Sequence, residues 1–120
     1  MFSYIRRNVR NFKNKVVVVT GGAHVIGQAI VEDFRKEGAV IEVIDKTTGT
    51  YFVGDIGNKE TLEAFSSYVL EMHSDIDYLI NNALPIMKGI DECSYAEFQC
   101  ALSVGVTAPF YLTKLFKDSF

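Results

Sequence analysis

The strongest constraint on the fold is the run Val16-Val17-Val18-Val19-Thr20, which stops at Gly21-Gly22. β-Branched side chains favour extended backbone, and a run without polar alternation has to be buried on both faces. That is how a central strand of a parallel sheet reads. Beyond the glycines, Ile26, Ala29, Ile30 and Phe34 recur at helical spacing, and Gly38 supplies a stop. Strand, glycine turn and helix in succession make half of a crossover unit, in which helices cover a parallel sheet.

The remainder continues the alternation. Val40 to Ile44, ending at Asp45, reads as a second strand and Tyr51-Phe52-Val53 as a third. Only Lys-Thr-Thr-Gly-Thr links them, whereas a parallel crossover usually takes a dozen or more residues, commonly a helix. Either a connecting element is trimmed here or the third strand is not parallel. Asn58 is placed to cap a helix whose Leu62, Phe65, Val69 and Met72 share one face. Ile76-Asp77-Tyr78-Leu79-Ile80 is a fourth strand. Ser94 and Glu97 have capping-box spacing at the head of a last helical segment carrying Phe98, Leu102, Val106, Phe110 and Leu115. Pro109 lies inside that segment, where it removes a backbone bond and its ring presses on the carbonyl of Gly105, so a kink is expected. This order predicts an α/β fold, a doubly wound parallel sheet with strand order 3-2-1-4. The first helix should lie on one face and the later two on the other.

Composition sets the outer limits. With 120 residues, 48% of them hydrophobic, the chain has material for one core and no linker that would divide it. Its apolar runs fall far short of the roughly 20 residues that cross a membrane. Residues 1–15 hold Arg6, Arg7, Arg10, Lys13 and Lys15 and no acid. We read residues 1–10 as a basic, solvated extension of a domain spanning 11–120, since that stretch is short for a transit peptide and lacks a secretory cleavage pattern. The net charge of −3 makes the body acidic, which argues against binding nucleic acid. Cys93 and Cys100 have no partners at metal-ligand spacing, and neither do His24 and His73; no metal site is expected. Reduced thiols suit a cytoplasmic protein.

The chemistry gathers at Thr20-Gly21-Gly22-Ala23-His24-Val25-Ile26-Gly27. A glycine turn between a buried strand and a helix brings free N–H groups and the positive end of the helix dipole to a ligand pyrophosphate. Asp45, at the end of the second strand, is placed to accept hydrogen bonds from an adenosine ribose and to repel a 2′-phosphate, which favours NAD over NADP. His24 is the one turn residue that would favour a phosphate. On the residues alone a second reading stays open: the glycines make only a tight turn, and Asp45 is only a strand-end acid.

Three motifs in order extend the first reading. The turn at 20–27 resembles the Thr-Gly-x-x-x-Gly-Ile-Gly turn of short-chain dehydrogenases/reductases. Asp55-Ile56 is similar to the Asp-Val/Ile pair after that family's third strand, and Asn81-Asn82-Ala83-Leu84 to its Asn-Asn-Ala-Gly. The resemblance spans about residues 11 to 118 and implies a partial Rossmann-like NAD(P)-binding domain. By it Gly21, Ile26 and Gly27, with His24 and Val25 in the same turn, would face the pyrophosphate, and Asp45 the adenosine ribose. Asp55 and Ile56 would contact the adenine; Asn82 and Ala83 would line the path to the nicotinamide ribose.

The departures are equally specific. Val25 replaces the middle glycine of the turn and crowds the approach to a phosphate. Leu84 replaces the last glycine of the third motif, and Gly105 stands where the family usually has an active-site asparagine. The short link after Asp45 matches a missing second helix. The family's Tyr-x-x-x-Lys pair has no counterpart. Tyr4, Tyr51, Tyr68, Tyr78, Tyr95 and Tyr111 are followed four residues on by Asn8, Asp55, Met72, Asn82, Gln99 and Leu115. The chain therefore reads as the cofactor-binding portion of an oxidoreductase truncated after the family's fourth helix, with no catalytic residue of its own. A small-molecule substrate would be engaged only by a complete enzyme. A non-catalytic nucleotide-binding or interaction module is the alternative. Either version leaves the fourth strand's outer edge and the face behind the first helix bare, so a homo-oligomer is expected, through that edge or through the helix from Ser94, which resembles the helix this family uses for oligomer contacts.

Overall fold

In the computed structural model, which describes residues 11–120, the valine run is the central strand β1 (Val16–Thr20), with Val17, Val18 and Val19 fully buried. It is flanked on both sides by parallel partners: β2 (Val40–Asp45) pairs Val16 with Val40 through Thr20 with Ile44. On the other side β4 (Tyr78–Asn81) pairs Val17 with Tyr78 through Thr20 with Asn81. β3 (Phe52–Val53) lies outside β2, giving the expected order 3-2-1-4. The basic extension expected at 1–10 lies outside the described residues.

β3 is parallel to β2, which answers the question left by the short link. Its two residues pair only with Ile44 and Asp45, the last two positions of β2. The chain therefore turns back by about one residue, not along a whole strand, and needs no helix. The amide of Gly54 donating to the Asp45 carbonyl at 3.0 Å extends the pairing by one bond.

The sheet separates two apolar clusters. Alternate β1 residues Val17 and Val19 point to the side of α1 (Val25–Lys36) and pack with Val31 and Val43. Val18 points the other way, into a larger cluster with Ile44 and Ile76, with Leu62, Phe65 and Val69 of α2 (Lys59–Met72), and with Leu112 and Phe116 of α4 (Ala108–Phe116). In two helical segments the structure shows which of the apolar residues at helical spacing are buried. In α1 the buried residues are Gly27 and Val31, one position on from Ile26 and Ile30, and Ile26 is 66% exposed. In the last segment Ala101, Ala108, Leu112 and Phe116 are buried, while Phe98, Leu102, Val106 and Phe110 form an exposed stripe. Met72 is also exposed at the end of its helix.

The helix ends follow the sequence. Asn58 accepts from the amides of Glu60 and Thr61, and Ser94 with Glu97 closes a reciprocal capping box on α3 (Tyr95–Leu102). Between α3 and α4 the chain widens into a π-turn at Ser103–Thr107, closed by the Ala108 amide donating to the Ser103 carbonyl. Proline lacks the N–H that would continue the ladder, so the turn before Pro109 re-pairs at longer range. The kink is expressed as this wide turn. No helix among the described residues is long and apolar enough to cross a membrane.

Candidate functional site

Because every strand is parallel, the C-terminal ends of β1, β2, β3 and β4 lie along one edge of the sheet. The segments that leave them are brought together there. Strand order reverses between β1 and β4, the place where open α/β sheets form a crevice. A cleft of about 840 Å³ occupies it, within the size range of small-molecule and cofactor sites. It is lined by Gly21, His24, Val25, Ile26, Gly27, Asp45, Asp55, Ile56, Asn82 and Ala83, so the structure brings the residues expected around a dinucleotide to one cleft.

The turn that opens the cleft is held by close packing. Gly21 sits at φ 67°, and a Cβ there would come within 2.9 Å of the Ala83 Cα. A Cβ on Gly27 would run into the Gly21 carbonyl oxygen and come within 2.5 Å of the Asn82 side-chain nitrogen. Only glycine fits either position. Asn82 donates its side-chain amide to the Gly21 carbonyl at 2.9 Å, bracing the turn from β4. The hydroxyl oxygen of Thr20, 1% exposed, accepts from the backbone amides of Asn82 at 3.2 Å and Ala83 at 3.1 Å. Thr20 is thus the knot between the two strands that bear the motifs. Composition and spacing point only to its place at the end of the strand; its contacts need the parallel register.

Val25 adopts φ 36°, the left-handed region that β-branched residues avoid, so its backbone keeps a glycine-like conformation at a strain of about 1–3 kcal/mol. Its side chain is 82% exposed on the cleft wall. The helix that starts here differs from α2 and α3. His24 makes no side-chain cap and the first turn holds no acid, whereas α2 and α3 each have a capping side chain and a glutamate in their first turns. The first-turn amides of α1 have no carbonyl of their own helix to bond. An acid at this helix start would repel an anionic ligand, and none is there.

On the β2 side Asp45 is 7% exposed, and its two carboxylate oxygens accept from the amides of Ala23 at 3.2 Å and Thr47 at 3.0 Å. Burial pushes its carboxyl up. The bonds from the Thr47 and Ala23 amides and the Thr47 hydroxyl, with the nearby His24, outweigh that and hold it below its ordinary value. The His24 ring shares a 2.9 Å hydrogen bond with the Thr47 hydroxyl, closing a circuit from the glycine turn through Thr47 to Asp45. Asp55 is exposed and accepts from the Gly57 amide at 2.9 Å. Ile56 is 7% exposed and belongs to the core beneath the cleft.

Several lining residues carry no signature in sequence. Lys46, Thr47 and Gly54 flank Asp45, and Pro85, Ile86, Lys88, Glu97 and Cys100 form the far wall. Lys88 pairs with Glu97; that ammonium, with the Ser94 amide, lowers the Glu97 carboxyl to about 2. Gly105 faces the ring of Pro85. Tyr111 donates its hydroxyl to Glu63 at 2.7 Å, and that bond pushes its phenol pKa up, the opposite of what a catalytic tyrosine needs.

The fold recurs in known proteins. The L-fucose dehydrogenase of Mus musculus is 33% identical over 121 residues, an alignment covering 89% of this chain and 44% of that enzyme. A short-chain dehydrogenase/reductase from Brucella melitensis, described as a glucose/ribitol dehydrogenase, superposes with TM-score 0.83 at 25% identity, over 92% of this chain and 53% of that one. L-Sorbose reductase from Gluconobacter frateurii, complexed with NADPH and L-sorbose, shares the fold at TM-score 0.81 and 24% identity, over 92% of this chain and 49% of that one. The chain spans about half the length of the curated relatives it matches. Residues 15–120 match the sequence profile of the family described as short chain dehydrogenase, and with the parallel sheet, the glycine turn and the Asn82 brace in place, the chain belongs to that family.

Proposed function

We propose that these 120 residues form the cofactor-binding portion of an NAD(P)-dependent oxidoreductase, with NAD preferred over NADP. The carrying observation is Asp45: a buried carboxylate, held ionised by two backbone amides and fixed on the cleft wall one strand from the glycine turn. Its negative charge favours the paired hydroxyls of an adenosine ribose and disfavours a 2′-phosphate. Gly21 and Gly27 let the backbone come close to a dinucleotide, and the uncapped start of α1 offers it amides. Ile56 and Gly54 line the wall near Asp45, and Asn82 and Ala83 the opposite side. Bound nicotinamide would supply hydride transfer between an alcohol or carbonyl substrate and its ring. The work of this chain is to hold and orient the dinucleotide and to exclude water around it. None of the described side chains is assigned a proton-transfer role.

Calorimetric titration tests the preference. NAD should bind more tightly than NADP, and Asp45→Asn should narrow the difference. Equal affinities in the unaltered chain would remove the basis for it.

Val25 favours a second reading, a non-catalytic module with the same fold, because an exposed isopropyl group narrows the approach to the helix start. In either case we propose self-association through the stripe Phe98, Leu102, Val106 and Phe110, and a reducing, cytoplasmic setting for the free Cys93 and Cys100.

A further inference from the structure

We propose that the cleft recognises the adenosine end of its ligand and draws little from the diphosphate, with Val25 as the residue that sets this balance. The inference rests on the adenine-dinucleotide reading above and divides it into two halves that can be measured separately.

At the helix start the backbone is arranged for an anion but the side chains are not. Val25 projects from the first position of α1 with 82% of its surface exposed on the cleft wall. A phosphate drawn to the amides there gives up water against the isopropyl group and receives no hydrogen bond from it in return. Ile26, 66% exposed, and Leu84, 84% exposed, continue the apolar rim. Charge does not compensate. Of the two lysines lining the cleft, Lys88 is paired with Glu97 and Lys46 directly follows Asp45. The His24 ring is engaged by the Thr47 hydroxyl. The carboxylates of Asp45, Asp55 and, on the far wall, Glu97 also line the cleft and disfavour an anion.

The adenosine side has the opposite character. Asp45 is fixed by two amides, so its carboxylate is ordered before a ribose arrives and little entropy is lost on binding. Gly54 and the small exposed edge of Ile56 line this end of the cleft without a charged group, with Ile44 fully buried behind them.

The test is calorimetry with adenosine, AMP, ADP and NAD against the unaltered chain, Val25→Gly and Val25→Ala, each checked for folding by its thermal transition. In the unaltered chain adenosine and ADP should have dissociation constants within about threefold of each other. Val25→Gly should tighten ADP and NAD by about tenfold while leaving adenosine unchanged, because it removes the apolar group and suits the positive φ. Val25→Ala should act in the same direction by a smaller factor, since it removes bulk and keeps the strained backbone. ADP binding about thirtyfold or more tightly than adenosine in the unaltered chain would overturn the inference and leave the dinucleotide reading standing. A Val25→Gly gain shared equally by adenosine would do the same. Silence from every adenine compound, adenosine included, would overturn both.

Discussion

Replacing Thr20 by valine removes one hydroxyl from the centre of the site while nearly preserving side-chain volume. The Thr20 oxygen accepts from two amides that belong to the motif on β4. The Asn82 amide also donates to the Ile80 carbonyl at 3.1 Å and keeps that partner in the variant. The Ala83 amide donates to the Thr20 hydroxyl in a part-buried setting and loses that acceptor. An unsatisfied buried donor costs about 1–3 kcal/mol, and weakening a shared bond adds about 0.5 kcal/mol, so Thr20→Val should destabilise by about 1.5–3.5 kcal/mol. For a domain of this size that lowers the melting temperature by about 5–20 °C. Thr20→Ser keeps the oxygen and loses one buried methyl, a cost of about 1 kcal/mol. Urea and thermal denaturation of the three proteins should therefore rank the original first, serine second and valine last. A valine variant as stable as the serine variant would refute the knot between β1 and β4.

Acid should unfold the chain partly through Asp45. Its folded pKa is lowered, so its contribution is fully present above the unfolded value and is lost as pH falls through the folded one. Chemical denaturation from about pH 5 downward should show a shallower loss for Asp45→Asn than for the original chain; parallel curves would remove Asp45 from the account. Phe110, 64% exposed in the stripe on the outer side of α4, should mediate self-association. Light scattering at rising concentration should show a larger mass for the original chain than for Phe110→Asp, with a monomer throughout as the contrary result.

How much of this was readable in the sequence depended on how local each signal was. The valine run, the Asn58 cap and the Ser94–Glu97 box are set by neighbouring residues, and the structure reproduces them. In the last segment spacing alone leaves the buried face open, because two sets of apolar residues satisfy it. Ala108, Leu112 and Phe116 pack into the core cluster beside α2, Ala101 is buried on α3, and the bulky stripe is left outside. In α1 the glycine at 27 has to face the turn, which rotates Ile26 into the cleft. The parallel β3 was ambiguous because link length constrains only a full-length crossover. In the site, motif residues were legible as types at fixed spacing. The roles of Thr20 and Thr47 depend on residues 62 and 23 positions away, which only the folded sheet brings near.

The central claim is that an adenine dinucleotide occupies the cleft between the glycine turn and the ends of β2 and β3. It is tested most directly by titrating NAD into the isotopically labelled chain and following the backbone amide resonances. The account predicts saturable shifts at Gly21, Val25, Ile26, Gly27 and Asn82, with the largest at Asp45, Asp55 and Ile56, and none along the outer face of α4. Resonances unmoved at millimolar NAD, or moved only outside the cleft, would contradict it.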